Sequence, residues 1–141
     1  PQIRYPDCYG IDMAKLGDFI AFKAAIELLK ETEQDSIIRE VYSKAQAELE
    51  KPDDEMVNAV REIYAPFTVK QISDKIADML RAPGTIAEVE VVYQSIEGLH
   101  EACPDHTGDW YFTGNYPTPG GNRVVNRAYM NFIDGINARA Y

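Results

Sequence analysis

Ile3-Arg4-Tyr5-Pro6-Asp7-Cys8-Tyr9-Gly10-Ile11-Asp12-Met13 reads as the end of a strand that passes through a turn into a helix. Ile3 and Tyr5 alternate with polar neighbours, and Pro6 ends ladder pairing because it has no N–H to donate. Gly10 permits a backbone angle that other residues resist. Asp12 then stands where its carboxylate caps a helix beginning near Met13. A strand that ends in a glycine turn and an acid-capped helix is the geometry in which α/β enzymes place their ligands.

Outward from this stretch the sequence is mostly helical. Residues 14–30 form the first expected helix, with Leu16, Phe19, Ile20, Ala24 and Ile26 at helical spacings. Phe22, Leu28 and Leu29 widen its apolar face, so it needs cover on more than one side. A second helix is expected over 36–50, carried by Ile37, Val41, Ala45 and Leu49. Lys51-Pro52-Asp53-Asp54-Glu55 separates it from a third, built on Met56, Val57, Val60, Ile63 and Tyr64 and ended by Pro66. Thr68-Val69-Lys70-Gln71 fits a capping box and starts a fourth, with Val69, Ile72, Ile76, Met79 and Leu80 inward.

Val89, Val91, Val92 and Tyr93 predict a largely buried strand over 88–94. A short helix follows from Ser95 to about Cys103, and Pro104 ends it. Residues 105–121 read as an ordered loop around Trp110-Tyr111-Phe112, because floppy linkers rarely carry three adjacent aromatics. Val124, Val125, Ala128, Tyr129, Phe132 and Ile133 make a last helix, stopped near Gly135. There is no internal repeat. The expected fold class is helix-rich α+β, with residues 1–141 as one unit.

Composition sets the outer bounds. Across 141 residues the formal net charge is −9, and no basic cluster offers a nucleic-acid footprint. Apolar runs are short and broken by charges, which excludes a membrane-spanning helix. Cys8 and Cys103 are too few for a disulfide scaffold, so a reducing cytoplasm is the expected compartment. Pro1 in place of a methionine suits a fragment of a longer chain.

Four stretches resemble the glutamine phosphoribosylpyrophosphate amidotransferases. Tyr9-Gly10-Ile11-Asp12, with Asp18-Phe19-Ile20-Ala21 after it, is similar to a Tyr-Gly-Ile-Asp segment and a later Glu-Leu-Ile-Ala. Val69-Lys70-Gln71-Ile72 resembles the family's Val-Glu-Glu-Ile helix start. Tyr93-Gln94-Ser95-Ile96-Glu97-Gly98-Leu99 resembles a strand with the Leu-Ser-Leu-Glu-Gly-Leu that follows. Phe112-Thr113-Gly114-Asn115-Tyr116-Pro117-Thr118 resembles a Phe-Thr-Gly-Lys-Tyr-Pro-Thr near the C-terminus. Residues 23–67 exceed what ordinary members carry there and read as a helical insertion. The tail beyond Gly120 also departs from the common pattern and looks most like the longer bacterial forms.

The resemblance implies the C-terminal portion of a phosphoribosyltransferase-type α/β domain. In such an enzyme a glutaminase domain releases ammonia, which displaces pyrophosphate from phosphoribosylpyrophosphate to give phosphoribosylamine, committing carbon to purines. Mg²⁺ accompanies the diphosphate substrate. The terminal cysteine nucleophile and the diphosphate loop lie outside these residues, so the segment itself is expected to be structural. Tyr9, Gly10, Asp12 and Phe19 are then candidates for the wall of the transferase site or the ammonia path, although plain core packing is the stronger reading for Phe19. The implied partners are the glutaminase and transferase portions of the parent chain, in a homo-oligomer, with no nucleic acid and no membrane.

Other chemistry is weaker. His100, Cys103 and His106 fall at i, i+3 and i+6, a spacing that invites zinc. Pro104 divides them and no CxxC pair is present, so no metal site is expected. Some family members hold an iron–sulfur cluster, which needs four thiolates. Here Asp7, Gly108 and Tyr111 stand at expected ligand positions, and no cluster is expected; both cysteines are read as buried and structural. Gly120, Gly121 and Arg123 could cradle an anion at a helix start, though turn-making accounts for the glycines. Glu101 and Asp109 are lone carboxylates of ordinary solvated kind. The alternative function, from another class, is a helical protein–protein interaction module without a catalytic role.

Overall fold

The computed structural model describes residues 15–93, 95–105 and 118–141. Within them lie five α-helices: α1 (Ile20–Glu31), α2 (Ser36–Leu49), α3 (Val69–Leu80), α4 (Ile96–Ala102) and α5 (Pro119–Ile133). Short 3₁₀ turns at Leu16–Asp18, Asp53–Glu55 and Ala59–Ile63 join them. No strand occurs among the described residues, so the fold is all-α and the expected α+β class, with its phosphoribosyltransferase-type sheet, is corrected.

The strand expected over 88–94 shows why. Val89, Val91 and Tyr93 are half-buried while Glu90 and Val92 face solvent, which is the side-chain alternation of an extended chain. Val91 and Tyr93 rest against the helical core, whereas Val92 is 78% exposed. β-branched residues favour any pleated, half-covered surface, and here helices supply the cover without a ladder partner. Gln94 and the opening stretch at residues 1–14 lie outside the described residues, as do residues 106–117 with their aromatic segment.

Two helix pairs make the core. Against α2, which buries Val41 and Ala45, packs α5 with Val125, Ala128 and Tyr129. The alanines let the backbones approach while the Tyr129 ring fills the space beside them. On the other side α1 packs against α3, whose Ile72 and Ile76 are buried. Phe22 of α1 ties the pairs together, meeting Tyr129 edge-on at 6.0 Å and Phe132 at 4.8 Å between ring centroids. Such edge-to-face pairs add about 0.5–1.5 kcal/mol beyond area burial. The wide apolar face of α1 is thus covered from two sides, as its sequence requires. Lys75 closes the rim of the α1–α3 contact on Glu27 at 3.2 Å and Glu31 at 2.6 Å.

Residues 23–67 are part of this core. Ala24, Ala25, Leu29, Val41, Ala45, Val60, Ile63 and Tyr64 all belong to the central cluster, together with Leu16 and Tyr129 from outside the span. Removing the span would strip α5 and α3 of their partners.

Several boundaries differ from expectation. The first helix is broken: a 3₁₀ turn at Leu16–Asp18 precedes an extended Phe19, and α1 begins at Ile20. Gly17 in this turn lets the Phe132 ring pack closely, since a Cβ there would meet it at 3.3 Å. In place of the expected third α-helix stands a single 3₁₀ turn, Ala59–Ile63, with Met56, Val60, Ile63 and Tyr64 buried but Val57 57% exposed. On α3 the inner positions hold at Ile72 and Ile76, while the end residues Val69 and Leu80 are 36% and 56% exposed. The last helix starts at Pro119, ahead of the expected apolar run, because proline at the first helical position has its φ preset and loses no bond.

Candidate functional site

The candidates from the sequence do not come together in one site. Tyr9, Gly10 and Asp12 lie outside the described residues. Phe19 is the residue before α1, with φ −98° and ψ 118°, half-buried and packed against the core. Its ring therefore does the packing work that the sequence also allowed it.

Gly120 and Gly121 stand in the first turn of α5, neither in a loop nor in a tight turn. A Cβ on Gly120 would meet nothing within 4 Å, so packing does not demand glycine there. Thr118, before the helix, makes no side-chain cap bond. The Arg123 guanidinium pairs with the Asp53 carboxylate on the facing 3₁₀ turn, so its charge is engaged across α5 and not at the helix start. Both partners are well exposed, and such pairs contribute about 0–1 kcal/mol. An anion at this helix start would compete with Asp53 for the arginine.

Cys103 follows the last residue of α4 and is exposed as a free thiol, which corrects the expectation that it is buried. His100 lies in the last turn of α4, whereas Cys8, His106 and Asp109 fall outside the described residues. Among the described residues no three His, Cys, Asp or Glu side chains group as metal ligands.

The best-organised polar cluster is one the sequence reading missed. Asn126, fully buried on α5, accepts the Ala59 amide proton at 3.1 Å and donates to the Val57 carbonyl at 2.8 Å. One turn earlier Asn122 donates to the Met56 carbonyl at 2.8 Å. From α2, Glu48 accepts the Val57 amide at 2.8 Å and the Lys51 ammonium at 2.5 Å. Asn58 caps the second 3₁₀ turn by accepting from the Val60 amide at 3.0 Å. Together these groups satisfy an irregular backbone that would otherwise lose water without compensation. The signal was available: Asn122 and Asn126 share a helical face with Val125 and Tyr129, a polar intrusion into an apolar stripe. Its chemistry is structural, because Asn122, Asn126 and Asn58 and one Glu48 oxygen bond backbone groups, while the other Glu48 oxygen is taken by the Lys51 ammonium.

Two tyrosines brace the same bundle. Tyr129 donates to the Ile38 carbonyl at 2.8 Å, and burial pushes its phenol well above the usual tyrosine range. Tyr42 donates to the Asp134 carboxylate at 3.0 Å, a bond that raises its own pKa. A cleft of about 240 Å³ opens between the Leu16–Asp18 turn and the end of α5, lined by Lys15, Phe132, Ile136 and Asn137 among others. Lys15 donates to Asn137 across it at 2.8 Å.

No described helix is long and apolar enough to cross a membrane. In comparison with known proteins, no family model, curated protein or solved structure matches the chain.

Proposed function

We propose that the chain is the C-terminal segment of an amidophosphoribosyltransferase of the longer bacterial type, acting in the first committed step of purine synthesis. The observation that carries the reading is the order of the four sequence similarities, from Tyr9-Gly10-Ile11-Asp12 to Phe112-Thr113-Gly114-Asn115-Tyr116-Pro117-Thr118. Two of the four fall at helix starts: Val69-Lys70-Gln71-Ile72 opens α3, and Ser95 caps α4 by accepting the Gly98 amide at 3.0 Å. A segment that repeats a family's cap-and-start pattern in order has a reason to keep the same helix entries.

In this reading the segment positions and encloses. Glutamine hydrolysis and pyrophosphate displacement, with Mg²⁺ on the substrate, belong to the glutaminase and transferase portions of the parent. The partners are those portions and further copies of the same chain, in the cytoplasm. A second reading has an observation of its own: the described residues form an all-helical core without a sheet, which favours a helical protein–protein interaction module.

The discriminating experiment is expression of the complete reading frame that contains these residues. The first reading expects phosphoribosylamine from glutamine, and from ammonia, with phosphoribosylpyrophosphate and Mg²⁺. It also expects two acids and a small-residue phosphate loop encoded some tens of residues upstream. A reading frame without that loop, and no turnover with either nitrogen donor, would leave the interaction module standing.

A further inference from the structure

We draw no further inference here: the strongest candidate, the cleft between the Leu16–Asp18 turn and the C-terminal end of α5, presents no fully buried polar side chain to a ligand among the described residues, its Lys15 ammonium being engaged by Asn137 and its Asn131 carboxamide by the Ala138 carbonyl.

Discussion

Asn126 holds Val57 by its backbone, its Nδ2 donating to the Val57 carbonyl at 2.8 Å, although 69 positions separate the two residues. The same carboxamide takes the Ala59 amide at 3.1 Å, so one side chain satisfies both backbone groups flanking Asn58. That division of labour ties α5 to the linker between α2 and α3, and it fixes where the 3₁₀ turn at Ala59–Ile63 begins.

Replacing Asn126 with alanine leaves two backbone groups without their partner in a water-poor setting. The expected loss is about 2–4 kcal/mol, since each buried unsatisfied group costs about 1–3 kcal/mol. Asn122→Ala gives up a single bond to the Met56 carbonyl at a part-buried position, and about 1 kcal/mol is expected. Urea unfolding midpoints rank the two variants. If Asn122→Ala proves the more damaging, the clamp has been assigned to the wrong residue.

The capping box of α3 is reciprocal. The Gln71 amide donates to Thr68 Oγ1 at 3.2 Å, and the Thr68 amide donates to Gln71 Oε1 at 2.8 Å. Thr68→Ala removes the acceptor for one of the helix's unpaired first-turn N–H groups, at a cost of about 1 kcal/mol. Thr68→Ser keeps it and is expected to unfold within a few tenths of a kcal/mol of the parent. Thermal unfolding of both variants, with hydrogen exchange at the Gln71 amide, separates a lost cap from a general loss of stability.

These two features show where the sequence is readable. Thr68 and Gln71 lie three residues apart, so a local window contains the whole interaction, and so does the Gly135 stop after α5. There the Ile136 amide reaches the Asn131 carbonyl at 2.8 Å, with Gly135 at φ 69°. The segment from Met56 to Tyr64 has apolar spacing equal to a helix, yet its Met56 and Val57 carbonyls and Ala59 amide are taken by Asn122 and Asn126, 66–69 positions away. No local window holds those carboxamides, and tertiary hydrogen bonds overrode the periodicity. Residues 88–93 failed for the matching reason: valines signal a half-covered extended chain, but they do not say whether strands or helices provide the cover. Of the site candidates, Arg123 was readable as a cation near a helix start, while its partner Asp53 lies 70 positions away.

Glu33 follows the end of α1 in the left-handed region, at φ 57°. Its amide reaches the Lys30 carbonyl at 3.3 Å, and the Gln34 amide reaches that of Leu29 at 2.8 Å, which is the paired closure that glycine normally serves. A side chain there costs roughly 1–2 kcal/mol of backbone strain, partly offset by the unfolded-state freedom that glycine adds. Glu33→Gly is therefore expected to stabilise the fold by about 0.5–1 kcal/mol. Because Glu33 is exposed, no packing change confounds the comparison. A lower melting temperature for the variant would show that this helix end does not carry the strain.

Tyr129 links the core to alkaline stability. Its ring is buried between helices, its hydroxyl donates to the Ile38 carbonyl at 2.8 Å, and burial raises its pKa. An unfolded tyrosine ionises near pH ~10. The neutral phenol is thus favoured by folding, and its contribution is fully present below that pH. As pH rises above it, the unfolded chain releases a proton that the folded chain retains, so stability falls with pH. Tyr42 and Tyr93 are shifted in the same direction and give a background slope. Tyr129→Phe is expected to cost about 1 kcal/mol at neutral pH, because the Ile38 carbonyl loses its donor. Above pH ~10 the variant should lose stability with a shallower slope than the parent, since one shifted phenol has been removed. Urea unfolding at several pH values from neutral to strongly alkaline reads both effects together. Equal alkaline slopes in parent and variant would mean that Tyr129 ionises without unfolding the bundle, and that its burial between α2 and α5 opens more readily than the packing implies.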